Sequence, residues 1–531
     1  GLRSLQTQTA EDRNELLKDL LHMTNRTIVL QVLVLFTLHA VGQHDTVASR
    51  FEKRITQEDL RKHLTVLASD EYEGRETGYA GQKLAAKYLV DQFRSYGIDP
   101  VPDAGERGVV NGYEQPFALQ LTTPGGLSVT AEGQPFKFME HYFYFSERLK
   151  EDMEASEIFV ARSLPPGTRE QLKDRVVLLL DDENEKEPLQ RRLSKIAEEA
   201  NAAEVRVLLI ASTSATRLMT QFEHQITGSR MRLPGDAGRK PGAGSTQTIV
   251  IDQAMAEAIL TPAKLSWKKA MKRARKAGKW ITSPLSFSYE DRSSELISEN
   301  ILGYVEGSDR KEELVVVTAH YDHIGMQNGE VYNGADDDGS GTVALLEMAE
   351  AFARAKAQGK GPRRSILFMP VTAEEKGLLG SRYYSEHPAF PLESTVANLN
   401  IDMIGRFDST HVNSEPYVYI IGSDRLSSEL HAVNEQASDV YVGLDLDYTF
   451  NAPDDPNQFY FRSDHYNFAR KGIPVIFYFS GVHEDYHGPK DEVDRIRFDL
   501  LEQRTKLVFH TAWLLANREN RIMIDKPVET E

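Results

Sequence analysis

Cysteine is absent from the 531 residues. That excludes disulfides, thiolate nucleophiles, cysteine-held zinc and iron–sulfur clusters together. Any metal must be held by His, Asp or Glu. No Gly-x-Ser-x-Gly elbow occurs either, so serine catalysis has little to stand on. Positive charge is in short supply, with 62 basic against 80 acidic residues and a net charge of −18. Such a balance suits neither wrapping of nucleic acid nor adsorption to anionic lipid, so no nucleic-acid partner is expected. Glycine and proline, at 36 and 22, are ordinary, which removes collagen-like and low-complexity readings.

Long apolar runs are scarce. One, Ile28 to Leu38, follows Met23-Thr-Asn-Arg26 and precedes Ala40-Val-Gly42. A cation, a short apolar stretch and small residues two apart form a secretory signal pattern, too short for a membrane span of about 20 residues. Met23 reads as the initiator, with cleavage after Gly42 and a secreted or periplasmic product. No membrane span is expected beyond it.

At 40% hydrophobic and 27% charged, the chain has globular composition and length for two or three domains. From Ile55 to Ile98 it reads as helices, with Thr56 as a cap and Leu60, Leu64 and Leu67 at helical spacing. Beyond about residue 120 short strands begin. Arg175–Leu180 and Val205–Ile210 flank a charged helix and suggest a βαβ-containing module ending near Ile249-Val-Ile251. Residues 221–246 read as a loop, and Lys264 to Lys279 as a basic, solvated helix. From about 285, apolar runs at Leu314–Thr318, Ser365–Thr372, Val396–Ile401 and Pro474–Phe479 alternate with the helical patterns Thr342–Ala357 and Phe498–Ala516. Near-continuous apolar runs suit strands buried on both faces. The expected architecture is a three-layer α/β sandwich with a mostly parallel central sheet and a small inserted α+β domain. The expected segments are 1–42 (upstream extension and signal), 43–120 and 286–531 (main domain) and 121–285 (insert).

Charged residues follow each run. Thr318 leads to His320-Tyr-Asp322-His323, Thr372 to Glu374-Glu375, Ile401 to Asp402, and Phe479 to His483-Glu-Asp-Tyr-His487. A fifth cluster, Asp336-Asp337-Asp338, precedes a helix. In open α/β sheets ligands bind beyond the carboxyl ends of the strands. Adjacent aspartates repel unless a cation or a helix N-terminus compensates them. Singly, Asp338 is a candidate helix cap and His323 and His483 read as surface histidines.

Together, Ala319-His-Tyr-Asp322, Gly334-Ala-Asp-Asp-Asp-Gly-Ser-Gly341, Thr372–Ser381, Asn400-Ile-Asp-Met403 and Asp485-Tyr-His-Gly488 resemble the motifs of the co-catalytic zinc exopeptidases, the family of bacterial leucyl aminopeptidases and glutamate carboxypeptidase II. Gly74-Arg-Glu-Thr-Gly78 is similar to a loop of the same family, and the insert resembles a protease-associated domain. The resemblance implies two Zn2+ ions, one held by His320 and Asp402, the other by Glu375 and His487, with Asp336 bridging. It implies Glu374 as general base, Tyr486 as a donor to the oxyanion, Asp322 orienting His320, and Asp337 setting the backbone beside the bridge. Asp464 and His465 fall where the family lines its substrate pocket.

The reaction so implied is removal of N-terminal residues from peptide substrates, because a carboxylate-rich site attracts a protonated α-amine. Carboxypeptidase action would need an arginine for the terminal carboxylate, and Arg382, Arg406 and Arg462 lie near the motifs. A glutaminyl cyclase and a non-catalytic binding relative share the fold and stay open as alternatives. Oligomeric state and side-chain preference are not legible.

Overall fold

A computed structural model describes residues 44–528, apart from 165–166, 168, 182–186, 188, 239–245, 275–277, 413 and 415. The signal pattern over residues 23–42 lies outside the described residues. The chain forms two compact units, one of residues up to Gln115 together with Asn300 onward, the other Pro116–Glu299.

The first unit is built on a seven-stranded sheet. Its strands are β1 (Gly303–Val305), β2 (Arg310–His320), β3 (Arg364–Val371), β4 (Thr395–Ile401), β5 (Tyr417–Ile421), β6 (Asp445–Asp447) and β7 (Val475–Phe479), in the order β1-β3-β2-β4-β7-β5-β6. β3, β2, β4 and β7 run parallel, with Val315 registered on Ile366 and Ala397. β1 and β5 join antiparallel to β3 and β7. Every residue of β3, β4 and β7 is buried, which is why their sequences are largely apolar; the buried Asn398 and Asn400 of β4 hydrogen-bond with Thr318.

Alternate side chains of β2 serve two cores. Val315, Val317 and Ala319 pack with helices α1 (Gln57–Leu67), α2 (Ala80–Ser95), α3 (Gly341–Ala357) and α6 (Phe498–Asn517). Leu314 and Val316 pack on the opposite face with Tyr384 of α4 (Leu379–Glu386) and Phe468 of α5 (His465–Ala469). Helices cover both faces, giving the three layers. α1 starts as expected: the Thr56 hydroxyl accepts from the Asp59 N–H at 3.1 Å, and Leu60, Leu64 and Leu67 form its buried face.

In the second unit Met153–Ala161, Val176–Leu180, Val207–Ala211 and Gln247–Ile251 are neighbouring parallel strands, with the helix Leu189–Ala202 between the second and third. The expected boundaries at 120/121 and 285/286 fall inside strands Glu114–Thr122 and Lys279–Tyr289. The latter pairs on both edges, with Leu127–Ala131 and Met153–Ala161, so it cannot be divided between units. The segment expected as a loop holds the short helix Glu223–Thr227 and the strand Arg230–Arg232, which pairs with Gln120–Thr122.

Candidate metal centre

The site lies wholly in the first unit, at the carboxyl ends of the parallel strands. β2 delivers His320 as its last residue, Glu374 and Glu375 follow β3, Asp402 follows β4, and Tyr486 and His487 follow β7. The acidic turn Asp336–Asp338 leads into α3.

The carboxylate between the imidazoles is that of Asp337. Its Oδ1 lies 3.2 Å from His320 Nε2 and its Oδ2 lies 3.0 Å from His487 Nε2. Asp402 Oδ1 stands 3.6 Å from His320 Nε2, and Glu375 Oε2 3.2 Å from His487 Nε2. Asp336, expected in the central position, faces away. Its Oδ1 accepts the Gly405 N–H at 2.6 Å and its Oδ2 lies 3.3 Å from His483 Nε2. The reason is local: Asp337 and Asp338 leave helical torsions, with φ/ψ of −100°/101° and −112°/49°, so the three side chains diverge. Asp338 is spent on backbone. It accepts from the N–H groups of His320 (3.1 Å), Gly341 (2.9 Å) and Met403 (3.0 Å), tying β2, α3 and the loop after β4 together.

His323 and His483, for which a surface position is the bland reading taken singly, are both buried. His323 Nδ1 lies 2.9 Å from Glu375 Oε1, and His483 abuts Asp336. A histidine directly after a buried strand end, in reach of other ligand types, was the available signal. Asp322 contacts His320 through its backbone carbonyl, 3.0 Å from Nδ1, while its carboxylate accepts from the Thr77 hydroxyl at 2.6 Å and the Glu374 N–H at 3.3 Å. Thr77 belongs to the Gly74–Gly78 loop. There the fully buried Arg75 donates to the carbonyls of Tyr321, Leu67, Asn333 and Gly334 at 2.6–2.9 Å. Gly74 has φ +64°, and a Cβ there would sit 2.5 Å from the Tyr332 carbonyl oxygen. Asp491 fixes the acidic turn by accepting from the N–H groups of Asp336 and Asp337 at 3.0 and 3.1 Å.

Asp464 and His465 do not reach the pocket wall. Both are fully buried, Asp464 accepting from the Ser381 hydroxyl and His465 stacked on Phe477 at 4.8 Å. It is their neighbour Ser463 that touches the centre, donating to Asp402 Oδ2 at 2.6 Å. The pocket beside the cluster is lined by Met403, Phe459, Phe477, Phe479, Val482 and Arg462, with Glu374 and Tyr486 at its polar end. The Tyr486 ring stacks on His487 at 3.9 Å.

The electrostatics are those of a cation site. Burial alone would lower the His320 imidazole, but Glu374 and Asp402 hold it well above its ordinary value. His487, likewise against burial, is raised to about 10 by Asp337 and Glu375. Burial pushes Glu375 up, yet His323 and His487 bring it down to about 2. Burial drives Glu374 well above the carboxylate range. Asp337 Oδ2 and Glu375 Oε1 are buried without a hydrogen-bond donor in good geometry, although imidazole nitrogens stand close by. Donor atoms that approach without bonding one another face common points between them, and two groups of ligand atoms converge here, His320 with Asp338 and Asp402, and Glu375 with Asp337 and His323; of the first group Asp338 is already committed to backbone N–H groups. Nitrogen and oxygen donors of this kind fit zinc.

The chain is similar to known proteins over the same region. Residues 300–512 match the profile of peptidase family M28. The chain is 30% identical over 233 residues to aminopeptidase YwaD of Bacillus subtilis, covering 42% of this chain and 46% of that one. It is 28% identical over 218 residues to leucine aminopeptidase 1 of Phaeosphaeria nodorum, covering 40% and 54%. The chain thus spans about half the length of these curated relatives. The fold is similar to that of the aminopeptidase from Aneurinibacillus sp. strain AM-1, with a TM-score of 0.52 at 18% identity over 91% of this chain and 98% of that one. The strand-end constellation thus lies within residues 300–512, the part of the chain that matches peptidase family M28.

Proposed function

We propose that this protein is an exported, zinc-dependent aminopeptidase that releases N-terminal residues from peptides. The observation that carries the reading is Asp337 standing between His320 and His487, each with a further carboxylate at hand. His320 and Asp402 would hold one zinc, Glu375 and His487 the other, and Asp337 would serve both. Zinc bound there would polarise the scissile carbonyl and lower the pKa of water.

The chain's own groups supply the rest. Glu374 is not needed as a ligand and stands 4.0 Å from His320 Nε2 at the pocket's polar end. It takes the proton of the attacking water and passes it to the departing amine. A carboxylate lifted above its ordinary range is better matched to that exchange near neutral pH. Tyr486, at the same end, would donate to the oxygen that becomes anionic. Its phenol is kept protonated by burial and the surrounding carboxylates. Asp322 orders His320 through its carbonyl and Glu374 through its carboxylate. The substrate's α-ammonium is attracted by Glu374 and Asp402, and its side chain enters the apolar pocket of Met403, Phe459, Phe477 and Phe479.

The parallel strand–helix–strand core of the insert supports its reading as a protease-associated module. Export rests on the apolar run at 28–38 and would be checked by finding mature protein that begins after Gly42. The activity is tested by comparing leucyl-leucine with its N-acetyl form on zinc-loaded protein. Cleavage of the free peptide and not the blocked one is expected; cleavage of the blocked one alone would make the enzyme a carboxypeptidase.

A further inference from the structure

Of the three arginines near the motifs, two are already engaged. Arg382 pairs with Glu386 at 3.2 Å, and the buried Arg406 pairs with Asp485 at 3.1 Å. Arg462 differs. Its guanidinium lies over the Phe459 ring, 4.8 Å from the centroid, and among the described residues no carboxylate pairs with it. In a chain of net charge −18, a guanidinium left without an acidic partner beside a cluster of carboxylates is unusual.

Its placement is specific. The next residue, Ser463, donates to Asp402 Oδ2 at 2.6 Å and accepts from Asn400 Nδ2 at 2.8 Å, which anchors the backbone to the metal centre. The short turn Phe459–Phe461 before it supplies the ring on which the guanidinium rests. Stacking on an aromatic face leaves the planar edge of a guanidinium, with its paired N–H donors, free to meet a carboxylate. Outside the two imidazoles of the metal centre, the lining of this pocket holds apolar side chains, Tyr486, the carboxylates of the cluster and, as its cation, Arg462.

We propose that Arg462 is a specificity residue that receives a carboxylate of the substrate. The proposal rests on the peptidase reading above and adds the substrate class. The α-ammonium is held at the carboxylate end, the aliphatic part of the side chain crosses the phenylalanine wall, and a negative group meets Arg462. Two sources of that group share this chemistry: an acidic side chain on the N-terminal residue, and the free C-terminus of a dipeptide.

The test measures kcat/KM for matched pairs on zinc-loaded wild type, Arg462→Gln and Arg462→Lys. Glutamyl- against glutaminyl-anilide reads the side-chain source. Leucyl-leucine against its C-terminal amide reads the terminal source. In one pair the acid-to-neutral ratio should fall about tenfold in Arg462→Gln, mainly through KM, with partial rescue in Arg462→Lys and shrinkage of the wild-type ratio in high salt. Because the ratio is formed within each protein, a general loss of activity cancels. Ratios equal in wild type and Arg462→Gln for both pairs would overturn the proposal. N-acetyl-leucyl-leucine and its amide form a third pair. If only these are cleaved, the aminopeptidase reading fails, and the acid-to-amide ratio on them still decides the role of Arg462. Turnover of no pair overturns both readings.

Discussion

Asp336 and Asp337 are adjacent in the chain, and their carboxylates serve separate networks: Asp336 meets Gly405 N–H and His483, Asp337 meets His320 and His487. Substitution should separate the two. Asp337→Asn is expected to reduce bound zinc from two ions per chain to one or none and to abolish activity. Asp336→Asn should retain both ions while losing about 1–3 kcal/mol of stability, the typical cost of disturbing a buried polar pair. Elemental analysis with a denaturant titration checks both. Zinc lost from Asp336→Asn and kept in Asp337→Asn would reverse the assignment.

Glu374 and Glu375 are likewise neighbours with different surroundings. Glu375 lies 2.9 Å from His323 and 3.2 Å from His487, whereas Glu374 faces the pocket. Glu374→Gln should lower kcat by about 10²–10⁴-fold, the usual worth of a placed acid–base group, with zinc content unchanged. Glu375→Gln should lose a zinc. Loss of zinc from Glu374→Gln would exchange their roles.

Zinc uptake should be linked to protons. Without metal, His487 is raised to about 10 and His320 well above its ordinary value, so both carry a proton at pH 7. Ligation needs neutral imidazole, so binding must expel these protons, and apparent affinity should rise with pH across pH 6–8. Calorimetry in buffers of different ionisation enthalpy should show release of roughly two protons. Affinity flat over this window would contradict the linkage.

Arg75 should matter for stability although it holds no metal. Its four carbonyl partners belong to α1 and to the segments flanking His320 and the acidic turn. Arg75→Met would take this donor from the carbonyls of Leu67, Tyr321 and Asn333, while Gly334 keeps the Gly339 N–H, at about 3 kcal/mol in total. The fall should appear in the denaturant midpoint, and a midpoint within error of wild type would contradict this role.

The parallel strands were legible because burial on both faces leaves near-continuous apolar runs such as Ile366–Val371, and the ligand types stood directly at their ends. Neither the direction of each aspartate in the acidic turn nor the burial of His323 could be read in the same way. Three identical residues in a row carry no internal signal of which faces inward, and the answer depends on backbone torsions at Asp337. In Ser463-Asp-His465 the residue that touches Asp402 is the serine, not the charged pair. A one-residue shift in a turn is beyond any periodicity argument, since α5 only begins at His465. The edge strand Asp445-Leu-Asp447 has a single apolar residue and pairs along one side only, so it carried no strand pattern.

The central claim is that two cations share Asp337. Zinc-edge anomalous diffraction from crystals of the zinc-loaded protein tests it most directly. Two peaks flanking the Asp337 carboxylate are predicted, one beside His320 and Asp402 and one beside Glu375 and His487. A single peak, or peaks that leave Asp337 uncontacted, would contradict the account.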